Sequence, residues 1–470
     1  MHLRLRAVSR TPIRFSFRLT HTLPMLVRHA THCLTSWRSW RSGSGGSSSI
    51  SGLCGLTTIR HPGASSLDPG TPRHHHLSTS ADALARAGLT EEEADARALA
   101  ADFAAAELTP DRSLAWDADK HFPRDVVERA ARLGFGALCV SSHPSGTALS
   151  RSAAACVYEA LATGDVPVAA YLSIHNMVAG TIDKHGSGGQ KDAFLPRLAS
   201  GDLLGAYCLT EPGAGSDAAA LRTRADRQSD GSFVLNGEKC FISGAGVADL
   251  YLVMARTGPP ATSGPAGISA FLVEKCTPGL AFSPPERKMG WNAQPTCSVS
   301  FKNLAIPATA LLGSEGGGFK IAMGALDGGR INIGACSVGG AARAVDAARA
   351  YAAGRVAFGA PLAAMPTMRA SFAEMASAIQ ASRLLVRHAA RSLDAGAPTA
   401  TLDAALAKKF ATDACFGAAN AALQAFGGAG YLADYHAERA VRDLRVHSIL
   451  EGANEVMSVV IARELDKLDG

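Results

Sequence analysis

The order of textures along the chain constrains its fold more than any other feature: a helical stretch, a strand-rich stretch, then a longer helical stretch. From Glu91 to about Gly201, "EEEADARALAADFAAAEL", "PRDVVERAARLG" and "SRSAAACVYEALATG" space their apolar residues three and four apart, as a helix with one buried face does. Pro123 opens the second of these, where a proline is well tolerated. From about Asp202 to Gly313, "LGAYCLT", "SFVLNGEKCFIS", "DLYLVMAR" and "GISAFLVEK" are rich in β-branched and aromatic residues between Gly, Pro, Asn and Asp punctuation. Asn236-Gly237 predicts a tight turn between two antiparallel strands. From about Glu315 to Gly470, Ala-rich helices return; "MRASFAEMASAIQASRLLVRHAARSL" and "LDAALAKKFATDACFGAANAALQAFGG" are long enough to build a bundle. The expected fold is α+β and multi-domain: an N-terminal helical domain over 85–201, a middle antiparallel β-domain (barrel or sandwich) over 202–313, and a C-terminal helical bundle over 314–470. Strict βαβ alternation is absent, which argues against a doubly wound nucleotide-binding fold.

Charge is unevenly placed. Residues 1–75 hold ten Arg, no Lys and a single acid, Asp68, whereas the rest carries 36 bases against 40 acids. A mildly acidic body gives no broad reason to bind nucleic acid. Residues 1–80, rich in Arg and Ser, predict a mitochondrial or plastid transit peptide and disordered leader, removed before Glu91. A basic tail that stays attached is the alternative. A secretory signal is not expected, because Arg4, Arg6, Arg10, Arg14 and Arg18 interrupt every apolar core it would need. No uninterrupted apolar run reaches ~18 residues, so no membrane span is expected. The ten Cys are scattered without C-x-x-C or zinc spacing, and read as reduced, partly buried residues. His74 to His76 fall in the leader; no metal site is expected.

"YCLTEPGAGSDAAALRT" contains a loose G-x-G-x-x-A match from Gly213 to Ala218. A dinucleotide fingerprint needs a helix to follow, and here strand signals resume at Phe233, so the segment reads as a Gly-rich loop leaving a strand. Taken with "KCFISGAG", "FGGAGYL" and "VRDLRVHSILEGANEVM" in this order, it resembles the acyl-CoA dehydrogenase family from about Glu91 to the C-terminus. The three-block architecture is that family's, with a four-helix bundle as its third part.

The resemblance implies FAD as cofactor. An isoalloxazine ring is a flat apolar body with polar edges, so it needs apolar walls and a few aimed donors. Tyr207, Leu209, Thr210, Gly215, Ser216, Phe241, Ile242 and Ser243 match the family's flavin-contacting strands and loop. Arg355 in "GRVAFG" matches an arginine at the FAD diphosphate; Gln424, Ala425, Phe426, Gly427 and Gly428 match a segment that reaches the FAD of a neighbouring subunit. Ala453, Asn454 and Glu455 complete the expected cofactor contacts.

The implied reaction removes two hydrogens across Cα–Cβ of a thioester, which requires a base for the α-proton and polarisation of the carbonyl. Glu451 in "SILEGANE" matches the family's base, and its backbone N–H and a flavin ribityl hydroxyl are the family's carbonyl donors. A helix-start glutamate is the bland alternative. Some relatives carry the base immediately before an arginine that opens a bundle helix; here that position is Gly329, ahead of Arg330, and glycine takes no proton. This argues against the isovaleryl- and long-chain types. Ser216, Asp327, Arg330, Glu451 and Arg463 match substrate-contacting positions, although Arg330 and Arg463 could equally be structural partners of helix acids.

"ALATGDVPVAAYLSIHNM" and "GGRINIGACSVGGA" look most like the isobutyryl-CoA dehydrogenase subfamily, whose members convert isobutyryl-CoA to methacrylyl-CoA in valine breakdown. The resemblance further implies a mitochondrial matrix location, a homotetramer and electron-transfer flavoprotein as acceptor. The chain departs from the pattern at Ala453, where Thr is usual, at Met365-Pro366 and Arg369, where flavin contacts are usual, and at Ser145 to Ala148, in a loop near the CoA entrance. Another short- or branched-chain dehydrogenase, an acyl-CoA oxidase and a non-catalytic acyl-CoA-binding protein remain as alternatives. Oxygen consumption without an acceptor marks the oxidase, and a colourless purified protein marks the non-catalytic binder.

Overall fold

Residue 83 and residues 85–258 and 264–469 are described by the structure, a computed structural model; the expected leader over 1–80, with its His74 to His76 run, lies outside them. The N-terminal helices are α1 (Glu91–Glu107), α2 (Pro110–Asp119), α3 (Arg124–Ala130), α4 (Arg151–Ala162), α5 (Val166–His185) and α6 (Gly188–Ser200). Their starts follow from local chemistry. Thr90 and Glu93 form a reciprocal capping box at α1, Ser187 and Gln190 do the same at α6, and the Asp165 carboxylate caps α5. Helix α4 is buried almost throughout and packs between α1 and the bundle.

Eight strands follow: β1 (Gly205–Cys208), β2 (Arg224–Arg227), β3 (Phe233–Ser243), β4 (Leu250–Arg256), β5 (Ile268–Glu274), β6 (Leu280–Phe282), β7 (Thr296–Ile306) and β8 (Leu311–Leu312). They form one sheet in the order β6-β7-β3-β2-β4-β5-β8, with β1 also on β4. Most pairings are antiparallel as expected, but β1 runs parallel to β4 and β2 meets β4 in parallel at Arg224. The chain through β2 and β3 supplies the long crossover such a pair needs.

The expected turn at Asn236-Gly237 is not a turn. Both residues lie inside β3, whose register against β7 shifts between Leu235 and Gly237. Gly237 has φ +149°, and a Cβ there would come within 2.6–2.8 Å of Thr223. The pair marks a bulge that lets β3 pass close to the residue preceding β2. An Asn-Gly pair supplies a kink, and the partner strand β7 continues past it, so the chain does not reverse.

The bundle comprises α7 (Gly318–Gly354), then, after a small ribbon of β9 (Val356–Ala357) and β10 (Ala360–Pro361), α8 (Pro366–Asp394), α9 (Ala400–Ala425), a short α10 (Ala437–Arg445) and α11 (Asn454–Asp469). Helices α7, α8 and α9 pack on one another and α11 on α9, the four-helix arrangement expected. Helices α7 and α9 bury many alanines, including Ala335, Ala341, Ala348, Ala404, Ala411 and Ala418. Pro366 sits at the first position of α8, where its missing N–H is no loss. Among the described residues no helix is long and apolar enough to cross a membrane, and every described cysteine is free.

Candidate active site

A cavity of about 300 Å³ opens between the sheet, α5, α7 and the turn that precedes α11. The sheet side contributes Tyr207, Leu209, Thr210, Phe241, Ile242 and Ser243, with Gly215 and Ser216 from the Gly-rich loop. Buried chemistry holds that loop. The Glu211 carboxylate accepts from the backbone N–H groups of Arg222 (2.6 Å) and Thr223 (2.9 Å) and from Lys239 Nζ (2.7 Å). Lys239 also donates to the Leu209 carbonyl at 3.0 Å, and Cys240 N to Thr210 O at 3.0 Å. Burial works to raise the Glu211 pKa, but Lys239 and these donors hold it below the usual carboxylate value. A second register shift in β3, between Lys239 and Ile242, accompanies φ +57° at Phe241. Phe241 is 69% exposed at the cavity rim, an unusual place for a phenylalanine without an apolar partner.

Opposite stand Ile174 of α5, Phe319, Met323, Leu326, Arg330 and Ile333 of α7, and Leu450, Glu451 and Gly452 of the turn. Glu451 and Gly452 are both left-handed, at φ +56° and +90°. Glu451 is thus in the turn, outside α11, and is not a helix-start residue. Its Oε2 is buried and has no hydrogen-bond partner among the described residues. The carboxyl lies against Gly329: a Cβ there would stand 2.5 Å from Oε2 and 2.8 Å from Met177 Sδ. Burial raises the Glu451 carboxyl to about 7, against the opposing pull of the Arg330 and Lys408 charges. A buried carboxylate tuned near neutrality beside an apolar cavity is the profile of a general base.

The wall suits a planar heteroaromatic group. Leu209, Phe241, Ile242 and Met323 are apolar, and Thr210 and Ser243 are polar at the edge. The indole Nε1 of Trp291, also in the wall, is a buried donor with no partner among the described residues. Other expected residues lie elsewhere in this chain. Asp327 binds Arg330 Nη1 (2.7 Å) and Thr401 Oγ1 (2.8 Å) outside the cavity, while Arg330 Nε approaches the Glu451 carbonyl at 3.4 Å. Arg463 pairs with Glu464 on the exposed side of α11. Asn454 is buried and bonded to Thr412 and Asp413; Ala453 is half-buried and Glu455 exposed. Arg355 and Gln424 to Gly428 gather at the far end of the bundle, where the Tyr351 and Phe426 rings stack 4.6 Å apart. Of these expected residues, the cavity wall includes Arg330 alone.

Two residues that motif reading passed over stand close to the site. Trp291 lines it at φ +55°, its backbone N–H donating to the Asp443 carboxylate (2.6 Å) and its ring edge-on to His447 (5.4 Å). Lys408 of α9, fully buried, binds the turn from behind. Its signal was available, since Ala404, Lys408, Ala411 and Cys415 share one apolar stripe at helical spacing.

Comparison with known proteins identifies all three parts of the chain. Residues 90–202, 206–304 and 316–465 match the descriptions "Acyl-CoA dehydrogenase" N-terminal, middle and C-terminal domain. The mitochondrial isobutyryl-CoA dehydrogenase of Dictyostelium discoideum is 50% identical over 81% of this chain and 91% of its own length. Butyryl-CoA dehydrogenase from Megasphaera elsdenii superposes with a TM-score of 0.77 at 37% identity, covering 80% of this chain and 98% of the other. The FAD complex of PigA does so at 0.77 and 29%, covering 81% and 99%.

Proposed function

Since the chain belongs to the acyl-CoA dehydrogenase family, an FAD-dependent family, we propose that it oxidises a short branched acyl-CoA, isobutyryl-CoA to methacrylyl-CoA, with Glu451 as base. The observation that carries the reading is the Glu451 carboxyl: buried, without a hydrogen-bond partner for Oε2 among the described residues, and facing the cavity across from the sheet. FAD, when bound, supplies the acceptor for the hydride that leaves Cβ. Leu209, Thr210, Phe241 and Ser243 would hold its ring. The work of the chain is then to bind the acyl tail among Ile174, Leu326 and Leu450, exclude water, and move the α-proton to the Glu451 carboxylate. The Glu451 N–H, in this left-handed turn, would serve the thioester carbonyl, where enolate charge develops.

Close similarity to a mitochondrial relative and the Arg-rich leader support a mitochondrial location in the matrix, and the acyl specificity supports a place in valine breakdown. Arg355 and Gln424 to Gly428, gathered far from Glu451, serve the cofactor of a neighbouring copy in a homotetramer, and electron-transfer flavoprotein reoxidises the enzyme. An acceptor-coupled assay with isobutyryl-, 2-methylbutyryl-, butyryl- and isovaleryl-CoA tests the reading. Isobutyryl-CoA is expected to give the highest kcat/KM. Glu451→Gln is expected to keep the flavin and lose about 10²–10⁴-fold in rate. Near-normal turnover by that variant removes the base assignment, and turnover with oxygen alone replaces dehydrogenase by oxidase.

A further inference from the structure

We propose that Lys408 is a positioning residue for the base, its buried ammonium clamping the Glu451–Gly452 turn by binding the Gly452 carbonyl and the Asn454 side chain. The inference rests on Glu451 being the base. Lys408 is completely buried in the bundle, and its Nζ donates to Gly452 O at 2.7 Å and to Asn454 Oδ1 at 2.8 Å. Among the described residues no carboxylate lies within ion-pair distance of it. A buried ammonium without a counter-ion is costly, and an alanine or leucine would fill the same stripe more cheaply. What the ammonium does instead is local. It holds the carbonyl that closes two consecutive left-handed residues, Glu451 and Gly452, the first a non-glycine in a conformation that needs outside support. Asn454 extends the clamp, since its Nδ2 donates to Thr412 Oγ1 (2.9 Å) and Asp413 Oδ1 (2.7 Å), one turn along from Lys408 on the same helix. The turn is thereby tied to α9.

The ammonium has a second effect. Glu451 is faced by Arg330 from α7, with Asp327 neutralising that guanidinium, by Lys408 from α9, and by the neutral phenol of Tyr207 from β1. Lys408 in turn sees Glu455 of α11 and Asp413 of α9. Burial lowers Lys408 to about 8, with Glu451 pulling the other way, and Lys408 in turn opposes the burial that raises Glu451. A positive charge behind the turn favours the ionised carboxylate, the form that accepts a proton. Removing it should move the ascending limb of the rate profile to higher pH.

The experiment measures kcat/KM against pH, and hydrogen exchange at the Gly452 and Ala453 amides, in FAD-loaded wild type, Lys408→Met, Lys408→Gln and Glu451→Gln. Lys408→Met is expected to shift the ascending limb upward, lower kcat/KM about 10-fold at pH 7 for a shift of about one unit, and speed exchange in the turn. Lys408→Gln, which can still bond Gly452 O without charge, is expected to share the shift with slower exchange. Folded Lys408→Met with a wild-type limb and wild-type exchange overturns the proposal. Failure of both Lys408 variants to fold overturns it too, because Lys408 would then serve assembly of the bundle. Glu451→Gln separates the two ideas: if it retains turnover the base assignment has failed, and if it is inactive while Lys408→Met behaves as wild type only the clamp has failed.

Discussion

At the scale of single residues, the site is a problem of where one carboxyl can stand. Gly329 leaves the space that the Glu451 carboxyl occupies, so Gly329→Ala would set a methyl at 2.5 Å from Oε2. We expect this variant to fold, retain flavin and lose at least ~10-fold in kcat/KM, a misplaced base being costly even by an ångström; steady-state kinetics with a flavin absorbance ratio checks both. A pH signature follows from burial. The Glu451 carboxyl is raised from 4.5 to about 7 in the folded protein, so the native state holds its proton more tightly than the unfolded chain. Stability from this group is present below about 4.5 and is lost as pH rises through about 7. Melting temperatures of wild type and Glu451→Gln across that window should diverge, with wild type falling more steeply. Glu451 was legible because its motif surrounds it in sequence. Trp291 was not, because it reaches the site from a distant element; the stripe marks Lys408 as a lysine on a buried face, but gives no indication of which carbonyl it will meet.

At the scale of elements, misreadings came from features that depend on a partner. Asn236-Gly237 was read as a tight turn and is a bulge; only the continuation of β7 alongside decides between the two. Gly237→Ala should destabilise by ~1–3 kcal/mol, from its positive φ and the contact with Thr223, while folded protein keeps its activity. Denaturant melts on the variant test this. The parallel pairing of β1 with β4 was likewise invisible, since strand composition does not encode direction. Helix α7 was obscured by its own glycines, which lower helix propensity but permit neighbours to approach. The departure at Met365-Pro366 acquires a simple role, the start of α8.

At the scale of the whole molecule, Arg330 lies within the first half of a 37-residue helix and Arg355 caps its C-terminus, about 37 Å away along the axis at 1.5 Å per residue. The far end carries Phe358 (99% exposed) and Tyr431 (82% exposed), side chains that a neighbouring copy would cover. Tyr431→Glu is expected to lower the assembled mass in sedimentation and, with it, the fraction of FAD retained; loss of assembly with full flavin content would separate the two. The three-part architecture was readable from periodicity alone, whereas the contacts proposed across copies rest on resemblance.

The alanine interior of α7 and α9 sets the direction in which this molecule is vulnerable. A methyl group is already the smallest side chain that can be trimmed, so truncation has little left to remove. Each added carbon must instead push two rods apart along their length. Damaging changes in this region should therefore be enlargements, such as Ala→Val or Ala→Thr at positions like Ala348 or Ala411, and a deep mutational scan should show a tolerance profile skewed by volume far more than by polarity.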